Sequence, residues 1–246
     1  MDEALTAETV TLTGHGGDEI EAYLARPIGA ESFGGVVVIH HMPGYDSGTK
    51  EITRKFAAHG YAAVMPNLHY RAAPGASPDD AAAASRAKGG VPDDRLVADV
   101  AAASDYLRAL PGCNGKLGVI GYCSGGRQAF LAACSLRFDA AVDCYGGAVV
   151  RVPEGAPPTF TPLIGLAGNL SCPLLGLFGA DDSFPAPDET AELSRVLDSH
   201  GKVHEFHTYD GAGHAFFRVD GSSYRVEAAT DGWAKIWDFF GKYLAG

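Results

Sequence analysis

The run Leu117-Gly118-Val119-Ile120-Gly121-Tyr122-Cys123-Ser124-Gly125-Gly126 decides how the rest of the chain is read. Its first half is a short continuous apolar stretch, which suits a strand buried on both faces of a parallel sheet. Its second half is a Gly-x-Cys-x-Gly turn that leads into helical sequence, Gly125 to Leu136. A strand, a sharp turn and a helix make a nucleophile elbow, with Cys123 where serine is the commoner residue. The residues two before and two after the nucleophile lie too close together for side chains. Gly121 and Gly125 meet that condition for Cys123. Ser124 would need small residues at 122 and 126, and Tyr122 is large. The helix N-terminus beyond Cys123 favours negative charge and hence thiolate. The Ser124 N–H would face a developing oxyanion. The plain alternative is a glycine-rich turn that holds a buried cysteine as a small core residue.

Similar apolar runs flank this one. Gly35 to Ile39, Tyr61 to Met65, Ala140 to Val142 and Leu174 to Phe178 also read as strands of a parallel sheet, with Val203 to Tyr209 a more polar edge strand. Before them, Glu8 to Leu12 and Ile20 to Ala25 alternate apolar and polar residues around Gly14, Gly16 and Gly17, an antiparallel pair with one wet face. Helical stretches lie at Gly48 to His59, Asp93 to Leu110, Pro187 to His200 and Tyr224 to Leu244. Leu96, Val100, Ala103 and Leu107 form one apolar helix face, and Trp233, Ile236, Trp237 and Phe240 another. Alternating strands and helices give an α/β class. The expected architecture is an α/β-hydrolase fold. It has a mostly parallel eight-stranded sheet, an antiparallel N-terminal strand pair and helices on both faces. Two low-complexity stretches, Ala72 to Ala87 and Val150 to Asn169, read as loops or lids over one core. The expectation is therefore one domain over residues 1–246, with 150–170 a candidate lid or loop.

Composition narrows the function classes. The 246 residues are 46% hydrophobic and 20% charged, a globular balance. Nineteen Lys and Arg against 30 Asp and Glu leave a net charge of −11, which disfavours non-specific binding to nucleic acid or anionic membranes. The acidic start Met1-Asp2-Glu3-Ala4 lacks the apolar core of a secretory signal, and no apolar run approaches membrane-spanning length. Five cysteines, 113, 123, 134, 144 and 172, cannot all pair within one chain. They read as free thiols in a reducing cytoplasm.

The partners of the elbow follow in the order nucleophile, acid, histidine. After Leu174 to Phe178 comes Gly179-Ala180-Asp181-Asp182-Ser183-Phe184-Pro185. Asp181, first after the turn, is the expected acid, with Asp182 read as a helix cap or a solvated loop charge. After Tyr209 comes Asp210-Gly211-Ala212-Gly213-His214-Ala215-Phe216, which sets His214 on a glycine-flexed loop before the last helix. His214 could deprotonate Cys123 and later water, while the acid orients its ring.

With these residues in view, the chain resembles the dienelactone hydrolase (carboxymethylenebutenolidase) family. The resemblance rests on Gly121 to Gly126, Gly179-Ala180-Asp181 with Pro185-Ala186-Pro187, Gly213 to Phe216, and Tyr61 to Leu68. It implies lactone or ester hydrolysis by a Cys–His–Asp triad without metal or cofactor, with Cys123, His214 and Asp181 in those roles. It also implies a second oxyanion donor from the backbone N–H of Met42. Arginines that hold a substrate carboxylate would be Arg218, four residues past His214, and Arg86, which would suit an anionic or polar acyl part. The chain departs from the family pattern at His41, which stands where studied members carry a glutamate that helps generate thiolate. His41 is expected to line the pocket.

Other constellations carry less. Adjacent His40 and His41 point to opposite faces of a strand, as do His204 and His207. The sequence has no CxxC, HExxH, GxGxxG or Walker pattern, so no metal or nucleotide site is expected. Phe184, Phe216, Phe217 and Tyr145 fall near strand ends, either lining an apolar pocket or packing. The expected partner is a small ester or lactone, not nucleic acid or membrane, and the protein a monomer or homodimer. Two alternatives remain at this level. One is an esterase or thioesterase of different substrate class, including a serine-type enzyme that happens to hold cysteine. The other is a non-catalytic ligand-binding or thiol-sensing domain.

Overall fold

A computed structural model describes residues 4–154, 156 and 160–246. One eight-stranded sheet runs through it: β1 (Leu5–Thr13), β2 (Glu19–Pro27), β3 (Phe33–Ile39), β4 (Ala62–Pro66), β5 (Cys113–Tyr122), β6 (Ala140–Cys144), β7 (Leu174–Gly179) and β8 (His204–Tyr209). The spatial order is β1-β2-β4-β3-β5-β6-β7-β8. β1 pairs antiparallel with β2, and β2 with β4; every later pair is parallel. The parallel strands therefore present their C-terminal ends along one edge, where loops that carry chemistry collect in open α/β sheets.

Side-chain alternation explains the two packed faces. Val37, Ile39, Leu117 and Val119 point into one core with Leu96, Val100 and Leu107 of α3 (Asp93–Ala109), Phe130 of α4 (Ser124–Ser135) and Leu193 and Leu197 of α5 (Pro187–Ser199). Val36, Val38, Ile120 and Tyr122 point into the other, against Phe56 of α1 (Ser47–Ala58) and Ile236 and Phe240 of α6 (Val226–Leu244). Both strand faces are dry, which is why these strands read as unbroken apolar runs. Each fully buried Phe or Leu contributes about 1.5–3 kcal/mol relative to an exposed one. Trp233 and Trp237 stack on each other at 4.9 Å and pack edge-on against Phe56, so the α6 stripe is core as its spacing indicates.

Two loop expectations fare differently. Ala72 to Ala87 is not a loop: Pro78–Ala87 forms a helix, α2. Ser77 caps it by accepting from the Asp80 N–H, Pro78 fits the first turn, Asp79 and Asp80 favour its positive end, and alanine is the best helix former. Within Val150 to Asn169, residues 155 and 157–159 lie outside the described residues. The rest includes a short 3₁₀ segment, Ile164–Asn169, pinned by buried Leu163, Ala167 and Leu170. Among the described residues, no helix is long and apolar enough to cross a membrane.

Candidate active site

The elbow is built by close backbone contact. A Cβ on Gly121 would collide with the Gly125 carbonyl, and one on Gly125 with the Ile39 carbonyl. Only glycine at both positions lets β5, α4 and the end of β3 meet. Cys123 sits at the apex with φ 57° and ψ −121°, outside the ordinary regions for a side-chain-bearing residue. Such a conformation costs about 1–3 kcal/mol and persists because its surroundings hold it. Here the Cys123 N–H donates to the Cys144 carbonyl at 3.0 Å, and its own carbonyl accepts from the Gly126 N–H at 2.9 Å. The thiol is left half-buried at the strand-end edge.

The loop after β7 turns tightly, with the Asp182 N–H donating to Gly179. This turn overrules the sequence expectation about the acid. Asp181 points to solvent, whereas Asp182 is only 5% exposed. Asp182 Oδ2 accepts from His214 Nδ1 at 2.9 Å, and its Oδ1 accepts from the Phe184 N–H at 2.9 Å. The carboxylate that orients the histidine is thus Asp182, not Asp181. The turn needs two residues to reverse direction before a side chain can face back into the site. Gly179-Ala180-Asp181-Asp182 carried that information only in its count.

His214 keeps about a third of its side chain exposed while Asp182 is enclosed. Burial alone would lower the imidazole pKa. The hydrogen bond to Asp182, with the neighbouring Cys123 and the Asp182 charge, outweighs burial and pushes it up to about 10. The imidazolium form is therefore favoured beside the Asp182 carboxylate. Tyr145 lies edge-on to the His214 ring at 5.2 Å.

Two cavities border the residues on either side of Cys123. One, about 50 Å³, has walls that include Tyr122, Tyr145, Phe217, His41, Asp46 and Arg218. The other, about 220 Å³, touches Met42, Ser124, Leu68, His69, Gln128 and Phe160. Among the described residues, the N–H groups of Met42 and Ser124 donate to no protein acceptor. The expected oxyanion donors thus border one cavity with their hydrogens unspent.

His41 and Arg218 share the smaller cavity. Arg218 Nε donates to Asp220 at 2.8 Å, and His41 Nε2 lies 3.3 Å from Asp46 Oδ2. Asp46 also caps α1 by accepting from the Thr49 N–H at 2.8 Å. Burial pushes its carboxyl upward, but nearby His41 and the bonds from Thr49 win and hold it below the usual range. Arg86 does not join this group. It is exposed on α2 and borders neither cavity, although its charge is felt at His69. The formation of α2 faces this arginine outward. Of the strand-end aromatics, Tyr145 and Phe217 wall the smaller cavity, while Phe216 is core.

His40, one residue before His41, is a satisfied core group. Nδ1 donates to the His41 carbonyl at 2.7 Å, and Nε2 accepts from the Leu68 N–H at 3.2 Å. Burial, then the neighbouring His69, lowers its pKa to about 3, so it stays neutral and ties the end of β3 to the segment after β4.

The dienelactone hydrolase family pattern matches residues 20–244. The chain belongs to that family. A carboxymethylenebutenolidase from Pseudomonas putida is 30% identical over 235 residues, covering 92% of each chain. A crystal structure from Klebsiella pneumoniae, provisionally named a dienelactone hydrolase, superposes with a TM-score of 0.87 at 28% identity, covering 98% of this chain and all of the other. An acylaminoacyl peptidase from Pyrococcus horikoshii shares the fold at a TM-score of 0.75 and 18% identity, with 98% of this chain aligned to 42% of that one. The α/β-hydrolase architecture and a hydrolase activity of the lactone or ester type follow from family membership. In this dienelactone hydrolase family member, His41 lies beside Asp46 and Arg86 is exposed.

Proposed function

We propose that this chain hydrolyses a lactone or small carboxylic ester through a thioester on Cys123. The observation that carries this reading is His214, hydrogen-bonded to Asp182 and set close enough to Cys123 for the two to interact electrostatically. His214 takes the proton from the Cys123 thiol, which makes sulfur the nucleophile. The sulfur attacks the carbonyl carbon, and the oxyanion is met by the N–H groups of Met42 and Ser124. The C–O bond breaks, the leaving oxygen takes the proton from His214, and the acyl group remains on sulfur. Neutral His214 then takes a proton from water as that water attacks the thioester carbonyl. The C–S bond breaks, acid leaves, and the thiolate–imidazolium pair returns. Asp182 holds the ring throughout. Arg218 and His41 would attract an anionic or strongly polar substituent of the substrate.

The test assays Cys123→Ala and His214→Ala on small aryl esters and enol lactones, with mass spectrometry for an acyl adduct on wild-type Cys123. Both folded variants are expected to lose at least about a thousandfold in kcat. Retained hydrolysis in either, or an acyl group trapped elsewhere, would sink the mechanism.

A further inference from the structure

The larger cavity beside the elbow contains polar groups that nothing in the catalytic chemistry uses. Its walls are mostly apolar, among them Met42, Leu68, Val91 and Phe160. Several of its polar groups are already committed. His40 spends both ring nitrogens on backbone. Arg127 holds Asp93 through two bonds and the Thr161 carbonyl through a third, with only its enclosed Nε unpartnered among the described residues. His69 is different. It is 4% exposed, and among the described residues neither ring nitrogen has a hydrogen-bond partner; Nδ1 is fully enclosed. A buried polar group without a partner costs about 1–3 kcal/mol, so a fold keeps one where something else satisfies it. Gln128, half-buried on α4, likewise has no side-chain partner among the described residues.

The charge state of His69 limits the ligand. Burial lowers its pKa to about 4, and the Arg86 charge adds to this. With Nδ1 enclosed, a neutral imidazole meets a ligand through Nε2, as one donor or one acceptor, which matches a ketone, ether or hydroxyl oxygen rather than a carboxylate. The side of the cavity matters too. Tyr145, in edge contact with His214, walls the other cavity. The group that protonates the leaving oxygen thus stands on that side, and the acyl arm falls to this one.

We propose that the cavity bounded by Met42, Ser124 and Phe160 receives the acyl arm of the substrate, and that His69 selects an acyl arm bearing an uncharged hydrogen-bonding oxygen. This rests on the hydrolase reading above. The experiment compares 4-nitrophenyl 4-oxopentanoate with 4-nitrophenyl pentanoate, which differ in one ketone oxygen. Wild type is expected to favour the oxo ester by about tenfold in kcat/KM, because a site with unspent polar groups rejects the analogue that leaves them unpaired. His69→Leu should bring the ratio near one, and His69→Gln, which keeps a donor and an acceptor, should restore part of it. An unselective wild type, or a ratio unchanged in folded His69→Leu, overturns the proposal. Should His69→Leu not fold, Val91→Phe reads the cavity. It should lower turnover of the pentanoate relative to the acetate at least about fivefold, and an unchanged ratio overturns the assignment of the arm. Should wild type hydrolyse neither ester, the hydrolase reading fails by itself. Calorimetric binding of both esters to Cys123→Ala then decides the His69 claim: a tenfold tighter oxo ester supports it, and equal affinities overturn it.

Discussion

The two cavities beside Cys123 lie within a few residues of each other and differ in size and in how their charged groups are placed. The smaller has carboxylates in its wall beside potential partners, Asp46 near His41 and Asp220 paired with Arg218. The larger is apolar, and its histidines are held neutral by burial. His40 and His41, the two residues just past the end of β3, are adjacent in sequence yet border different cavities. The difference teaches that histidine has no fixed role at the edge of this sheet. Burial makes His40 and His69 neutral groups, whereas His41 sits beside the Asp46 carboxylate.

The comparison can be broken most decisively at the shared catalytic groups. Asp182→Asn should lower kcat by about a thousandfold for substrates that use either cavity, since it removes the acceptor that fixes the His214 ring. Asp181→Asn, at an exposed carboxylate, should change kcat less than about twofold. Equal losses in the two variants would return the acid to Asp181.

Arg218→Ala sharpens the contrast between the cavities. For esters with a charged leaving group, such as 4-carboxyphenyl acetate, kcat/KM should fall about tenfold, as expected for one lost charge-assisted contact. Phenyl acetate should lose much less. Equal losses would show that Arg218 acts on the fold rather than on substrate charge.

The smallest effect is expected from a group behind both cavities. Asp143, on β6, is fully buried and accepts from the Gly146 N–H at 2.8 Å, while its other oxygen has no partner among the described residues. Burial pushes its carboxyl up to about 7, against the opposing bond from Gly146. Its folded pKa thus lies above its unfolded value near 4. Stability is fully present below about pH 4 and is lost as pH rises through 7. Asp143→Asn should flatten that decline in denaturant midpoints between pH 5 and 8 and leave the selectivity of both cavities unchanged. A decline of the same size in Asp143→Asn would exclude Asp143 as its source.

Much of this was legible along the chain. The eight strands, five of the helices and the elbow are written in local patterns: apolar runs for buried strands, 3.6-residue stripes for helices, and Gly121 and Gly125 around one cysteine. The α2 helix was legible too, in Ser77, Pro78 and the acidic first turn, but its alanine-rich composition resembled a loop. The choice between Asp181 and Asp182 was not local. Both are aspartates in one turn, and only the meeting of that turn with the His214 loop brings one carboxylate to the ring.

The sequence by itself determined which residue could be the nucleophile, because the elbow's glycines and strained apex are properties of five consecutive residues. Only the tertiary structure decided which aspartate faces His214, that Arg86 turns outward, and that His40 and His69 stay neutral while His41 finds a carboxylate. The physical reason is one of range. Backbone conformation is set by neighbours along the chain, whereas the orientation, protonation and partnership of a side chain are set by groups that the fold brings from tens of residues away.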